Sequence, residues 1–393
     1  MRLFNAHMSV LGLLFFASVW ICGCFAGRSG VETDGNDTFD ATRETDEPGC
    51  AAFNEAYINE WGSEVPGDSV EVELNPSDFG DTFIEVSGKL FLPSDVEAFQ
   101  GRLMFIALGL GADEYACMQW REFARQNHLA VFLVSLLVSS PEGVVDTPWS
   151  TPEAAYAAYN DVVDALVDKA GRPDLLDAPL ITWGHSAGGY LSTRIATSRP
   201  SEVLGFVSYH GSRLHNNGED NGMYDLPGLF VVAAYDTLSI RSKMFEQAAL
   251  GRENDAPWTL AIEEGGHHWD NNRGREFAIQ YIEELLSHQL SDEHEHDGDD
   301  VDSEPDDDDS DNSDSDDADS LLTAMLEAGR LGRLEHHGVF DGDEEFELSG
   351  REVVDICEHF AYSDVENDPA DHTWLFSESL ADSWVDFCTG GAE

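Results

Sequence analysis

Two textures of apolar and polar positions follow one another along the chain. Val70-Glu71-Val72-Glu73-Leu74 alternates strictly, and a second alternating stretch covers residues 82–92. A period of two places the apolar side chains on one face, which predicts antiparallel strands with one wet side. Beyond them the apolar runs become continuous, at residues 103–108, 129–138, 180–183, 203–209, 229–234 and 258–262. An unbroken apolar run suits a strand covered on both faces, as in a parallel sheet. Between the runs the period lengthens. Tyr159, Val162, Val163, Leu166 and Val167 form one helical stripe, and Phe277, Tyr281, Ile282, Leu285 and Leu286 form another. About six alternations of strand and helix predict an α/β domain over residues 65–290, with a mostly parallel central sheet and helices on both faces.

The N-terminus carries a different pattern. Arg2 precedes an apolar run of 15 residues, 8–22, shorter than the roughly 20 that a spanning helix needs. A charged start, a short apolar middle and small residues after it read as an export signal over residues 1–23. Ile21-Cys22-Gly23-Cys24 resembles the bacterial lipobox, which implies lipid modification of Cys24 and a membrane-anchored envelope protein. Cleavage after Ala26 would instead release a secreted one. Residues 24–64 then read as an acidic spacer. Export changes the cysteine arithmetic. Cys50, Cys117, Cys357 and Cys388 remain, and four cysteines in an oxidising compartment suggest two disulfides in one of three connectivities. Cys357 with Cys388 is the expected pair, because both lie in the C-terminal segment.

Charge narrows the partners. The 78 acidic against 20 basic residues give a net charge of -58. Such a surface excludes nucleic acid as a default partner and excludes lipid binding through a polybasic patch. Seventeen of the acidic residues fall in 291–320, a stretch without Lys or Arg; it reads as a disordered linker. His294-Glu295-His296 within it reads as solvated rather than metal-binding. Residues 321–393 read as a small appended module. Within them Asp341, Asp343, Glu345 and Glu352 resemble the ligand positions of an EF-hand loop, which implies calcium, although Phe346 stands where that loop's glycine belongs.

The chemistry concentrates at Trp183-Gly184-His185-Ser186-Ala187-Gly188-Gly189-Tyr190. Here Gly-x-Ser-x-Gly sits between a short apolar strand and a helical stretch. A serine at such a turn needs neighbours with almost no side chain two residues away on either side, and Gly184 and Gly188 supply them, with His185 and Ala187 between. A serine hydroxyl needs a base, and the base an orienting carboxylate. Asp236 follows the run 229–234, and His267 and His268 follow the run 258–262. Both therefore fall on the sheet edge that carries Ser186, where open α/β sheets build their sites. His267, directly after Gly265-Gly266, is the expected base, and His268 is the alternative. For the oxyanion of a tetrahedral intermediate, the expected donors are the amides of Ala187 and of Leu110, in the glycine-containing loop after the run 103–108.

This order of Ser186, Asp236 and His267 around a nucleophile elbow resembles the α/β-hydrolase superfamily, and Gly266-His267-His268-Trp269 is similar to the Gly-His-x-Trp loop of its polyhydroxybutyrate depolymerase and feruloyl-esterase-like branch. Gly109-Leu110 departs from the His-Gly pair usual in that branch's oxyanion loop. The resemblance implies an exported serine esterase that acts on a small-molecule or polymeric ester through an acyl-enzyme, with no metal or organic cofactor. The loop 138–151, with Trp149, is expected to line the acyl or alcohol site. Peptidase or acyltransferase chemistry on the same triad is an alternative; a non-catalytic cell-surface binding protein is another.

Overall fold

The structure, a computed structural model, describes residues 50–61, 63–107, 110–139, 145–146, 152–211, 222–263, 266–269, 272–295, 330–335, 356–361, 372–375 and 377–388. The export signal with Cys24, the spacer up to residue 49, Trp149, Gly109, the calcium-like loop and the linker beyond Glu295 lie outside the described residues.

Helix α1 (Cys50–Trp61) precedes an antiparallel pair, β1 (Gly67–Glu73) and β2 (Phe83–Pro93). β2 alternates between buried and more exposed residues from Val86 to Leu90, after a register shift between Phe83 and Glu85. Next come β3 (Gly101–Ile106), α2 (Gly111–Ala116), α3 (Met118–Gln126), β4 (Leu129–Ser139), the short β5 (Val145–Asp146) and α4 (Pro152–Ala170). The second half runs β6 (Leu180–His185), α5 (Ala187–Ser198), β7 (Val203–Tyr209), β8 (Gly228–Ala233), α6 (Leu238–Glu253), β9 (Trp258–Glu263) and α7 (Asn272–Glu295).

The sheet order is β1-β2-β4-β3-β6-β7-β8-β9, with β5 paired to β4. From β4 through β9 every neighbouring pair on this path is parallel, whereas β1, β2 and β5 pair antiparallel. Strands β3, β6, β8 and β9 are buried at every residue. The cause is two apolar layers. One face packs Trp120 and Phe123 of α3 with Phe277, Tyr281 and Leu285 of α7. The other packs Tyr159, Val162 and Leu166 of α4 with Leu191 and Ile195 of α5 and Met244 of α6. Helices on both faces of a mostly parallel sheet, with the serine turn after a central strand, make this an α/β-hydrolase fold.

Three features differ from the sequence reading. Helix α1 falls inside the expected spacer and is tied down: Asn54 Oδ1 accepts the Met118 amide at 2.7 Å, and the Tyr57 hydroxyl donates to Glu122 at 3.1 Å. Helix α7 continues to Glu295, five residues into the acidic run. The C-terminal segment is no mere appendage. Strands β10 (Arg330–Glu335), β11 (Ile356–Ala361) and β12 (His372–Leu375) form a separate antiparallel sheet, and α8 (Glu378–Cys388) follows. The stripe Leu380, Ala381, Trp384, Phe387 and Cys388 joins the same core as α3 and α7. Trp384 donates its indole N–H to the Leu260 carbonyl in edge strand β9 at 2.8 Å, and Phe387 stacks on Phe277. Helical periodicity announces an apolar stripe but not its partner, so the separation of 124 positions between Leu260 and Trp384 hid the contact.

The expected Cys357–Cys388 bridge is not formed. Cys388 is a buried thiol, because its helix turns that side of the stripe into the main core. Cys117, between α2 and α3, is disulfide-bonded.

Trp384→Ala should destabilise the whole domain by about 3–5 kcal/mol, as for a buried Trp truncated in a core. Urea unfolding followed by Trp183 and Trp258 fluorescence in the remaining core would measure it. An unchanged midpoint would mean that α8 does not belong to the domain core.

Candidate active site

The site begins where β6 ends. Ser186 takes φ 55 and ψ -120, a conformation with positive φ that non-glycine residues seldom adopt. The turn is held from below, since the Ser186 amide donates to the Tyr209 carbonyl at 2.9 Å and the Gly189 amide to the Ser186 carbonyl at 3.0 Å. It is also tight enough to exclude side chains. A Cβ on Gly184 would lie 2.1 Å from the Gly188 carbonyl oxygen, and one on Gly189 would lie 3.0 Å from Gly211 Cα. The chain thus doubles back with backbone against backbone and lifts the half-buried Ser186 hydroxyl above the sheet edge. Helix α5 starts at Ala187, so the Ala187 amide is one of those that lack an intrahelical acceptor, at the positive end of the helix dipole.

Asp236 stands three residues past the end of β8, with its side chain almost fully buried. Its Oδ1 accepts the Thr237 amide at 2.6 Å. Its Oδ2 accepts from His268 Nδ1 at 2.7 Å, and His268 Nε2 lies 3.0 Å from Ser186 Oγ. A carboxylate oxygen only accepts, so the hydrogen sits on Nδ1. The bare Nε2 then faces the serine O–H, the arrangement a general base requires.

The geometry departs from the sequence reading at the expected base. His268 meets Ser186 and Asp236; His267 does not. His267 is exposed, and its ring stacks on Tyr235 at 5.2 Å. The reason lies in the turn before it. Gly266 is buried and pinned: its amide donates to the Glu263 carbonyl at 3.0 Å, and its carbonyl accepts the Tyr235 amide at 2.9 Å. A Cβ on Gly266 would lie 2.7 Å from Glu263 Cγ. From this anchored point His267 faces outward and His268 inward. Nothing in two adjacent identical residues distinguishes them; the anchoring of Gly266 does. The histidine that meets Ser186 and Asp236 is therefore the third residue of Gly266-His267-His268-Trp269, not the second as in the Gly-His-x-Trp loop.

Leu110 lies where the second amide was expected, just beyond β3, the sheet neighbour of β6. It caps α2, accepts the Glu114 amide at 2.9 Å through its carbonyl, and packs its side chain on the core. The return of the chain here is tight, since a Cβ on Gly111 would lie 1.6 Å from the Ile106 carbonyl oxygen.

Sequence reasoning missed the layer beneath His268. The His268 backbone carbonyl lies 2.6 Å from His185 Nε2 and 3.0 Å from His210 Nδ1. Burial, then the neighbouring His210 and His268, holds His185 well below the usual histidine range. Tyr209 is pushed well above the usual phenol range by burial and then by Glu263, to which its hydroxyl donates at 2.8 Å. The one available signal was position: His210 and Glu263 each fall at the carboxyl end of an apolar run. Among the described residues no cluster of three or more His, Cys, Asp or Glu is placed to hold a metal ion.

No family model matches the sequence, and no curated protein matches it. Solved structures that resemble the chain include an arylesterase, at 16% identity and a TM-score of 0.37, which covers 60% of this chain and 90% of that one. The esterase of Pyrobaculum calidifontis gives 17% and 0.41 over 61% and 93%. S-formylglutathione hydrolase (FrmB) from Staphylococcus aureus gives 14% and 0.37 over 57% and 98%. These are distant likenesses of fold, and the chemistry of the site rests on its own distances.

Gly184→Ala should lower stability by about 1–3 kcal/mol or more, the usual cost of overpacking, because the added methyl meets backbone that cannot step aside. Denaturant titration would measure this. A neutral substitution would show that the turn is looser than the contacts with Gly188 and Gly189 imply.

Proposed function

We propose that the chain is a serine hydrolase that cleaves carboxylic esters. The observation that carries this reading is the unbroken relay from Asp236 Oδ2 through His268 to Ser186 Oγ, with steps of 2.7 and 3.0 Å. In the proposed reaction Ser186 Oγ attacks the ester carbonyl as its proton passes to His268 Nε2. The buried Asp236 carboxylate steadies the imidazolium that results. The Ala187 amide, with the Leu110 amide as the proposed second donor, receives the charge on the carbonyl oxygen. Collapse breaks the ester C–O bond, and His268 returns its proton to the departing alcohol. Water, deprotonated by the same nitrogen, then attacks the acyl-serine; the acid leaves and Ser186 regains its proton.

The strained conformation of Ser186 supports this reading as well. Residues held in sparsely populated backbone regions persist only where their surroundings over-determine them, and they cluster at reactive sites. Export forms part of the proposal, with lipid attachment at Cys24 as the means of anchoring. The disulfide at Cys117 supports it, because disulfides persist in oxidising compartments.

The test is steady-state hydrolysis of nitrophenyl esters of increasing acyl length by three variants. Ser186→Ala should abolish turnover, and His268→Ala should cut kcat by about 10²–10⁴-fold or more. His267→Ala should change kcat little. Equal losses in the two histidine variants, or full activity in Ser186→Ala, would refute the assignment.

A further inference from the structure

Beneath the proposed base lies a buried polar cluster that the reaction does not use. His185 ends β6, Tyr209 ends β7 with His210 next, and Glu263 ends β9; all four are buried. His185 Nε2 and His210 Nδ1 both point at the His268 carbonyl oxygen, at 2.6 and 3.0 Å. A carbonyl only accepts, so both nitrogens carry a hydrogen. For His185, burial and the neighbouring His210 and His268 favour the neutral ring, and its Nδ1 is buried without a hydrogen-bond partner.

His210 is different. Its Nε2 lies 3.0 Å from Glu263 Oε2. The contact is close but not aligned as a hydrogen bond; an ion pair needs no such alignment. Glu263 already has two other donors. The Tyr209 hydroxyl donates to Oε2 at 2.8 Å and the Gly274 amide to Oε1 at 3.2 Å. Two donors favour the ionised carboxylate. A bare Nε2 would then set two desolvated acceptors against each other, which burial penalises. A proton on Nε2 removes the conflict. Among the described residues, the other charged or titratable groups around His210 are His185, His268 above it, and the Tyr209 hydroxyl. Behind Tyr209 lies the buried Arg275–Glu114 pair, at 2.7 Å, which neutralises itself.

We infer that His210 is a buried imidazolium paired with the Glu263 carboxylate, and that with His185 it fixes the His268 peptide so that the imidazole above points at Ser186. His210 and His185 are positioning residues; neither reaches Ser186 Oγ. The positioning half of this inference rests on His268 as the base. Backbone strain supports it independently. His210 takes φ 45, a cost that persists only under constraint, and a Cβ on the next residue, Gly211, would lie 2.5 Å from Ser208 Oγ.

The test is a long-range proton–nitrogen spectrum of the full chain with ¹⁵N-labelled histidine, recorded through the neutral pH range. His210, assigned by its loss in His210→Asn, should show both nitrogens protonated. In Glu263→Gln one of them should be bare. A wild-type His210 with one bare nitrogen at neutral pH would overturn the pairing. The downfield proton of His268 Nδ1–H bound to Asp236 reads the positioning. It should vanish or shift in His210→Leu and persist in His210→Asn, which keeps an N–H at the Nδ1 place. kcat should follow, with a loss on the order of tenfold to a hundredfold in His210→Leu, little change in KM, and partial recovery in His210→Asn. An unchanged His268 signal in His210→Leu would overturn the positioning role. The spectra need no substrate: a protonated His210 in a protein without esterase activity would sink the functional reading and leave the pair standing.

Discussion

The conformation of one residue governs this site. Ser186 can keep φ 55 only because the backbone around it approaches closely, at Gly184, Gly189 and Gly211. Each of these glycines faces atoms that a side chain would displace. The turn is therefore less a flexible link than a rigid corner, clamped by the Tyr209 carbonyl on one side and the start of α5 on the other. Rigidity matters here because a relay of two hydrogen bonds tolerates little error. A misplacement of about 1 Å can cost a hundredfold in rate.

The same economy of placement governs the histidine. The loop after β9 is tied at Gly266 to Glu263 and Tyr235, and at the His268 carbonyl to His185 and His210. The ends of β6, β7, β8 and β9 thus all converge on one short segment. In a parallel sheet these ends share an edge by construction. A buried group there is within reach of three other strands, and each added hydrogen bond narrows the orientations of the imidazole.

Much of this was legible in the sequence. Continuous apolar runs named the central strands because both faces of the sheet are covered, so neither period nor polarity interrupts them. Gly184, Ser186 and Gly188 named the turn because steric limits at such a corner are local. Asp236 was legible from its place after a strand. The choice between His267 and His268 was not, because it depends on which carbonyl receives the Gly266 amide. His210 and Glu263 offered only their place at the end of an apolar run, for a similar reason: their partners come from other strands. Helix α8 carries an apolar stripe, Leu380, Ala381, Trp384 and Phe387, but nothing in the sequence says where that stripe is buried.

The central claim is that Ser186 is an activated nucleophile beside His268. The most direct test is treatment of the full chain with a fluorophosphonate, followed by peptide mass spectrometry. The account predicts a single phosphonyl adduct on the peptide that carries Ser186, and none when His268 is replaced by alanine under the same brief exposure. An unmodified Ser186, or an adduct that forms as fast without His268, would contradict it.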